Sequence, residues 1–125
     1  MKLVYQSKPK IKFQNLSREV WIETLSKDLK KIPEYLKAYF YGSFSRLEDE
    51  PWSDVDIIII LEDSIISRRT FLENLLYVSH YLNDYPELEP IVYTNSQWEK
   101  IISDTNPIGF WKDVRKDLIE LHRGN

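Results

Sequence analysis

The chain has 125 residues, a length that fits one domain with a single hydrophobic core. It contains no cysteine, which excludes disulfides, thiolate metal sites and a cysteine nucleophile. Its formal net charge of −3 argues against a general nucleic-acid binder, because such proteins carry an excess of basic residues that neutralises phosphates. We therefore expect no strong binding to nucleic acid.

No apolar stretch in the sequence approaches the ~20 residues that a membrane-spanning helix needs. The longest apolar run covers residues 55–61, which is strand length, and only Asp56 interrupts it. Residues 1–12 alternate basic, polar and apolar side chains, whereas a signal peptide contains a continuous apolar segment. The sequence therefore predicts a cytoplasmic protein without a membrane anchor.

The first third of the chain predicts an extended arm, a helix and a strand. Residues 1–16 contain a proline and no helical stripe, so we interpret them as an arm preceding a single domain over residues 17–125. The helix has Ser17 as its N-cap. Its apolar face repeats at spacings of four, four and three residues, at Trp21, Leu25, Leu29 and Ile32. Residues 36–41 then predict a strand that ends directly at Gly42.

A second strand and a second helix follow. Residues 54–61 are apolar on both faces after Asp56, which predicts a central strand covered on both sides. A helix is predicted over residues 67–83. One stripe of that helix is predicted to face the core, and it consists of Leu72, Leu75, Leu76, Ser79 and Leu82.

The last part of the chain predicts a third strand and two helices. The strand covers residues 88–94, and Ser96 with Glu99 has the pattern of a capping box that opens a short helix. Pro107 is predicted to begin the last helix. Its inward positions are Trp111, Val114, Leu118 and Leu121. The predicted order is helix, strand, strand, helix, strand, helix, helix, which is a mixed α/β (α+β) composition whose topology the element pattern alone does not fix.

Two carboxylates stand at the head of the central strand. Asp54 and Asp56 are two residues apart, so in a strand their side chains project from one face and their oxygens lie close together. Such a pair is repulsive unless a cation lies between the two groups. Because Mg²⁺ is held by one or two carboxylates and keeps positions for substrate phosphates, the pair predicts a magnesium site that handles phosphate.

A short turn precedes this pair by ten residues and supplies a second part of the predicted site. Glycine at position 42 lets the backbone approach a ligand closely, and Ser43 offers a hydroxyl and a backbone amide to phosphate oxygens. We expect this turn to hold a triphosphate while the aspartates hold its metal.

The Gly42-Ser43 turn, the ten-residue spacer and Asp54-Val55-Asp56 together resemble the signature of the DNA polymerase β-like nucleotidyltransferase superfamily. The similarity is to its minimal, single-domain prokaryotic members, and it covers the chain from roughly residue 36 to the C-terminus. The resemblance implies a small mixed β-sheet with helices packed against it, which is the palm-like fold of these enzymes.

The spacer itself agrees with this signature at three positions and departs from it at one. Arg46 stands where these proteins often carry an arginine, and Pro51 and Ser53 stand where proline and serine commonly precede the first aspartate. Leu47 is the departure, because the family usually has glycine there. The resemblance thus implies nucleotide binding by Gly42, Ser43 and Arg46.

A third carboxylate commonly completes the metal site in this superfamily and helps to deprotonate the acceptor. Glu89 is our candidate, because it stands at the head of the third strand as the aspartates stand at the head of theirs. Glu87 is the alternative: the two residues share one strand parity, so spacing does not choose between them, although Pro86 favours a turn at Glu87. The implied catalytic and metal-holding set is Asp54, Asp56 and Glu89.

The resemblance implies an enzyme that transfers a nucleoside monophosphate, most specifically AMP from ATP, to an acceptor with two Mg²⁺ ions and release of pyrophosphate. Minimal members of this kind often occur as antitoxins that adenylylate a HEPN-family ribonuclease toxin. The implied partners are therefore a nucleoside triphosphate and a protein, and a homo-oligomer stays open.

A different reading is a catalytically inactive module that binds a nucleotide or a partner. Leu47 and the choice of third acid keep this alternative open. The aromatic cluster is interpreted as packing, with Trp52 also able to flank a nucleobase next to the carboxylates. This cluster consists of Tyr39, Tyr41, Trp52, Trp98 and Trp111.

Overall fold

A computed structural model describes Phe13 and residues 16–63 and 70–121. The arm predicted over residues 1–16 therefore lies outside the described residues, except for its Phe13 and Leu16, as do residues 67–69 of the second predicted helix. None of the described helices has the length and apolarity to cross a membrane. The elements in chain order are α1 (Arg18–Leu29), β1 (Tyr35–Tyr41), α2 (Gly42–Ser45), β2 (Val55–Leu61), α3 (Phe71–Tyr81), β3 (Leu88–Thr94), α4 (Asn95–Ile102), α5 (Phe110–Asp117) and β4 (Ile119–Glu120).

The four described strands form one mixed sheet in the order β3-β2-β1-β4. β1 is antiparallel to β2 and to β4, whereas β2 and β3 are parallel. β2 is central, and its residues from Ile57 to Leu61 are buried, which confirms the prediction for this strand. The sheet and its helices confirm the predicted fold class. The carboxyl end of β1 and the amino ends of β2 and β3 meet at one edge of the sheet.

Helices cover both faces of the sheet, and alternate residues of β2 point into two separate cores. Ile57 and Ile59 pack with α1 and α3, whereas Ile58 and Ile60 pack with α4 and α5. Asp56 has the parity of Ile58, so it belongs to the face of α4 and α5. Asp56 therefore lies at the end of a strand that is packed on both of its faces.

Helix α1 agrees with its sequence pattern. The Ser17 hydroxyl accepts a hydrogen bond from the backbone N–H of Val20 at 3.2 Å, as expected for an N-cap. The helix ends at Leu29, and its inward side chains Trp21, Leu25 and Leu29 are buried.

The stripe predicted to face the core in α3 is wrong in part: Leu82 is buried and Leu75 packs on the core, but two other members are not buried. Leu72 and Leu76 are 60% and 61% exposed, whereas Asn74 and Val78 are buried. The segment carries two overlapping apolar stripes, and periodicity cannot choose between them. Packing selects the stripe that contains Val78 and Leu82, because these two side chains reach the core of α1 and β2.

The capping box of α4 begins two residues earlier than predicted. Thr94 is the N-cap, and it exchanges hydrogen bonds with Gln97. Ser96 instead donates its hydroxyl to Asp63 at 2.5 Å. The pattern of a Ser or Thr followed three residues later by Glu or Gln occurs twice here, and the end of β3 at Thr94 decides between them.

The last helix also begins later than predicted, at Phe110 instead of Pro107, with Gly109 as its N-cap. It ends at Asp117, and the short strand β4 follows, pairing Ile119 with Phe40. Leu121 is buried as predicted, but from beyond the helix. A two-residue strand has no periodicity, so the sequence pattern could not indicate it.

Candidate active site

The register of the sheet brings the predicted acids to one edge. Asp56 is paired with Glu89 across the parallel strands β2 and β3, and with Tyr41 across β1 and β2. β2 begins at Val55, so Asp54 lies just before the strand that was predicted to include it. Asp54 and Glu89 are exposed, and Asp56 is half-buried. The arrangement leaves carboxylate oxygens open to a ligand at the sheet edge.

The negative charges at this edge act on one another. The pKa of Asp56 is raised above its ordinary value, first by burial and then by the charges of Glu89 and Asp54. Burial also raises the pKa of Tyr41 to about 12, with smaller contributions from Asp56, Tyr93 and Glu89. The Tyr41 hydroxyl therefore keeps its proton at neutral pH, beside carboxylates that a cation would stabilise.

The structure separates the two candidates for the third carboxylate. Glu89 faces the side of Asp56, whereas the Glu87 carboxylate is buried on the opposite side, where it accepts a hydrogen bond from Trp21 Nε1 at 2.7 Å. Glu87 lies in a turn that the hydrogen bond from Leu88 N–H to the Tyr85 carbonyl closes, just before β3 begins at Leu88. Its side chain therefore does not follow the alternation of the strand that contains Glu89. The metal-holding role of Glu89 stays a prediction, and its place beside Asp56 supports it.

Gly42 lies directly against Asp56. Its φ of +73° is in the left-handed region, and a Cβ at this position would stand 2.6 Å from Asp56 Oδ2. Glycine therefore allows the turn and the carboxylate to approach closely. Ser43, which is half-buried, follows in α2, whose first carbonyl, that of Gly42, accepts a hydrogen bond from the Ser45 hydroxyl at 2.9 Å.

Arg46 makes ion pairs at the end of α2. Its Nε lies 2.8 Å from Glu48 Oε1, and its Nη1 lies 2.6 Å from Asp117 Oδ2. These contacts connect the turn to α5. The nucleotide-binding role of Arg46 stays a prediction, and in this structure its guanidinium group contacts acidic neighbours.

Leu47 has the backbone conformation of the glycine that usually stands at this position of the family signature. Its φ is +60°, in the left-handed region that favours glycine, and its side chain is 73% exposed. The backbone therefore takes the path that a glycine would allow. For a residue with a Cβ this conformation costs about 1–2 kcal/mol.

We expect Leu47→Gly to raise the free energy of unfolding by about 0.5–1 kcal/mol, because relief of the left-handed strain exceeds the entropy cost of glycine. Urea denaturation would measure the change. Leu47→Ala is the matched control, since it shortens an exposed side chain and keeps the Cβ, and its stability should stay within ~0.5 kcal/mol of the parent. Equal stabilisation by both variants would contradict the strain at Leu47.

The loop between the turn and the aspartates is held at two further points. Arg18 Nη2 lies 2.9 Å from Asp49 Oδ1, and the same guanidinium stacks over the Phe44 ring at 4.3 Å. Ser53 and Glu50 exchange hydrogen bonds of 3.0 Å that close a turn just before Asp54. These contacts fix the approach of the chain to the acidic edge.

The fit of Mg²⁺ to this edge depends on its donors and charge. Within residues 16–63 and 70–121 and at Phe13, no three acidic or histidine side chains converge closely enough to hold a metal ion. The donors that do meet are carboxylate oxygens, the ligands that Mg²⁺ prefers, and the pKa of Asp56 is raised first by burial and then by the charges of Glu89 and Asp54. The residues therefore fit a metal held by one or two carboxylates, with water and phosphate as its other ligands.

Most of the aromatic cluster packs as predicted. The Trp98 ring is buried against Tyr39 and Trp111, with centroids 5.2 and 5.9 Å away. Trp52 is exposed in the loop before Asp54. Tyr41 was interpreted as a packing residue, and its place beside Asp56 emerges only from the pairing of β1 with β2, which the sequence does not specify.

The mixed sheet, with a glycine turn and carboxylates at one edge, defines a nucleotidyltransferase fold. The chain belongs to the nucleotidyltransferase domain family, whose model it matches over residues 22–121. Among solved structures, it is similar to a proposed nucleotidyltransferase from Sulfolobus solfataricus, with 18% identity and a TM-score of 0.53. The match covers 82% of this chain and 76% of that chain and shows the fold. No curated protein matches the chain.

Proposed function

We propose that this protein transfers a nucleoside monophosphate, specifically AMP from ATP, to an acceptor in a Mg²⁺-dependent reaction that releases pyrophosphate. The observation that carries the proposal is the close approach of Gly42 to the Asp56 carboxylate, with Glu89 next to it in register. The Gly42-Ser43 turn suits a phosphate group, and the carboxylates suit the metal ion bound to that phosphate.

Each residue has a defined part in this reaction. Asp54, Asp56 and Glu89 would hold two Mg²⁺ ions, which would supply charge stabilisation to the entering and leaving oxygens. The backbone at Gly42 and the hydroxyl of Ser43 bind phosphate oxygens. Arg46 adds positive charge at the end of the turn, and Glu89 accepts the proton of the acceptor group.

The acceptor that we propose is a protein, in the manner of an antitoxin that adenylylates a HEPN-family toxin. The family resemblance suggests this partner, and exposed apolar side chains near the site support a protein surface as the acceptor. Phe110 packs on the ring of Tyr41 at 5.9 Å and is half exposed. Ile108, two residues before it in the chain, and Trp52, two residues before Asp54, are exposed as well.

A purified complex with the natural partner would test this function. With α-labelled ATP and Mg²⁺, we expect the label to enter the partner, its intact mass to rise by one nucleoside monophosphate, and pyrophosphate to be released. Omission of Mg²⁺ is the control and should prevent all three. Transfer to a small molecule or a nucleic acid in place of the protein would contradict the proposed acceptor.

An inactive nucleotide-binding module is the second candidate. It is favoured by one observation, that the described residues include no converged group of three metal-holding side chains. Calorimetry with ATP and Mg²⁺ separates the two functions when the partner is present. Binding without label transfer or pyrophosphate release would support the module and contradict the enzyme.

A further inference from the structure

A cavity lies on the side of the sheet opposite to Asp56, between α1 and the turn that leads into β3. Its volume is about 250 Å³, below the roughly 300–1,000 Å³ of pockets that hold drug-sized ligands. It therefore has room for one small group and not for a nucleotide. Three aromatic residues, three acidic residues, one leucine and one threonine line it: Phe13, Trp21, Tyr85, Asp28, Asp84, Glu87, Leu16 and Thr24.

The Glu87 side chain is an unusual wall for such a cavity. The residue is only 2% exposed, and its Oε2 accepts the hydrogen bond from Trp21 Nε1 at 2.7 Å. Its Oε1 is buried and has no hydrogen-bond partner among the residues that the structure describes. A buried carboxylate oxygen without a donor is unfavourable, and Glu87 lines the cavity, so a donor bound there would stabilise its carboxylate.

Three of the residues that line the cavity are acidic, and one of them, Asp28, pairs with Lys31 at 2.9 Å. Burial acts to raise the pKa of Asp28, but hydrogen bonds from Tyr85 and Lys31 outweigh it, so the pKa of Asp28 is lowered and its carboxylate is ionised at neutral pH. The pKa of Tyr85 is raised by burial, by its hydrogen bond to Asp28 and by the charges of Asp28, Asp84 and Glu87. Tyr85 therefore stays a neutral donor, and none of the eight residues that line the cavity is a lysine, an arginine or a histidine.

Acidic side chains next to aromatic rings favour a positively charged organic group. An ammonium or guanidinium group donates hydrogen bonds to carboxylates and is attracted to the faces of Trp and Tyr rings. A metal ion is a poor match, because the described residues form no metal-holding group and three of the lining residues are aromatic.

We propose that this cavity binds an organic cation, a primary ammonium or guanidinium group, which donates to the Glu87 carboxylate beside the rings of Trp21 and Tyr85. This cation comes from one of two sources. One source is a lysine of the chain itself, and residues 1–12 contain Lys8, Lys10 and Lys12. The other source is a separate molecule. The site lies on the other face from Asp56, so it does not depend on nucleotidyl transfer.

The indole N–H of Trp21 is a direct reporter, because it donates to the same carboxylate. Its proton–nitrogen NMR signal, identified by its loss in Trp21→Phe, would be followed in the full chain during titration with n-butylammonium chloride. The same titration would use a full chain in which Lys8, Lys10 and Lys12 are all replaced by Gln. n-Butanol is the matched neutral probe and should leave the signal unchanged.

The proposal predicts a saturable shift of this signal in at least one of the two chains. A shift in the parent chain points to a separate ligand. A shift only in the lysine-free chain, whose unliganded signal already differs from that of the parent, points to a lysine of the arm. We expect Glu87→Gln to weaken binding at least tenfold, while Glu89→Gln, the same change on the opposite face, leaves it unaltered.

The proposal is overturned by the absence of a saturable shift in both chains, or by an equal response to n-butanol. It is also overturned when Glu87→Gln, with the other indole signals in place as evidence of folding, binds n-butylammonium as tightly as the parent. A misfolded Glu87→Gln protein leaves the comparison of n-butylammonium with n-butanol as the deciding measurement.

Discussion

Asp56→Asn is expected to abolish nucleotidyl transfer and, in the absence of Mg²⁺, to stabilise the folded protein at neutral pH. The substitution keeps the shape of the side chain and removes the charge that we assign to metal binding. Several kcal/mol of transition-state stabilisation depend on that charge, so we expect a loss of at least ~1000-fold in the rate of label transfer.

The direction of the stability change follows from the pKa of Asp56, which the fold raises through burial and the charges of Glu89 and Asp54. The folded protein thus favours the protonated acid. This contribution to the free energy of unfolding is fully present below the ordinary pKa of aspartate and is lost as the pH rises through the raised value. At neutral pH the ionised side chain is destabilising, and asparagine removes that effect.

We would measure label transfer from α-labelled ATP for Asp56→Asn and for Glu62→Gln. We would also measure the urea denaturation of both variants at low and at neutral pH. Glu62 is an exposed acid just beyond the other end of β2, so its substitution changes charge equally and should preserve transfer. Undiminished transfer by Asp56→Asn would refute the role of this residue. Lower stability than the parent at neutral pH would refute the electrostatic account.

The second large effect is expected for Gly42→Ala. The added Cβ would stand 2.6 Å from Asp56 Oδ2, so the carboxylate has to move away from the turn. A misplacement of about 1 Å in a catalytic group can reduce the rate by ~100-fold. Positive φ adds backbone strain of about 1–2 kcal/mol, which would appear as a lower free energy of unfolding.

Gly109→Ala is the matched control for this prediction. Gly109 also has a positive φ, +59°, but a Cβ there would meet no atom within 4 Å. We therefore expect Gly109→Ala to lose stability through backbone strain alone, while keeping its transfer rate per folded molecule. Equal activity of the two variants would contradict the assigned contact between Gly42 and Asp56.

Much of the fold was predictable because local chemistry and packing agree in these segments. Ser17 caps α1 as its hydroxyl predicts, and the unbroken apolar run after Asp56 indicates a strand covered on both faces. The glycine turn and the acids at positions 54 and 56 were predicted from their spacing, because they are close in sequence and lie at the ends of adjacent strands.

The remaining features depend on contacts between distant segments. Glu87 and Glu89 share a parity in the sequence, and only the turn into β3 and the hydrogen bond from Trp21 separate them. The left-handed conformation of Leu47 runs against its own preference, so no local signal predicts it. Which apolar stripe of α3 faces the core depends on its packing against the sheet, and Leu72 is on the side that stays exposed.

The central claim is that the Gly42-Ser43 turn and the carboxylates of Asp54, Asp56 and Glu89 form one site for a metal-bound triphosphate. Crystals of the full chain grown with Mn²⁺ and a non-hydrolysable ATP analogue would test it by anomalous scattering. We predict manganese bound by Asp54 and Asp56, with the triphosphate against the turn. Manganese or nucleotide bound at a place remote from these residues would contradict the account.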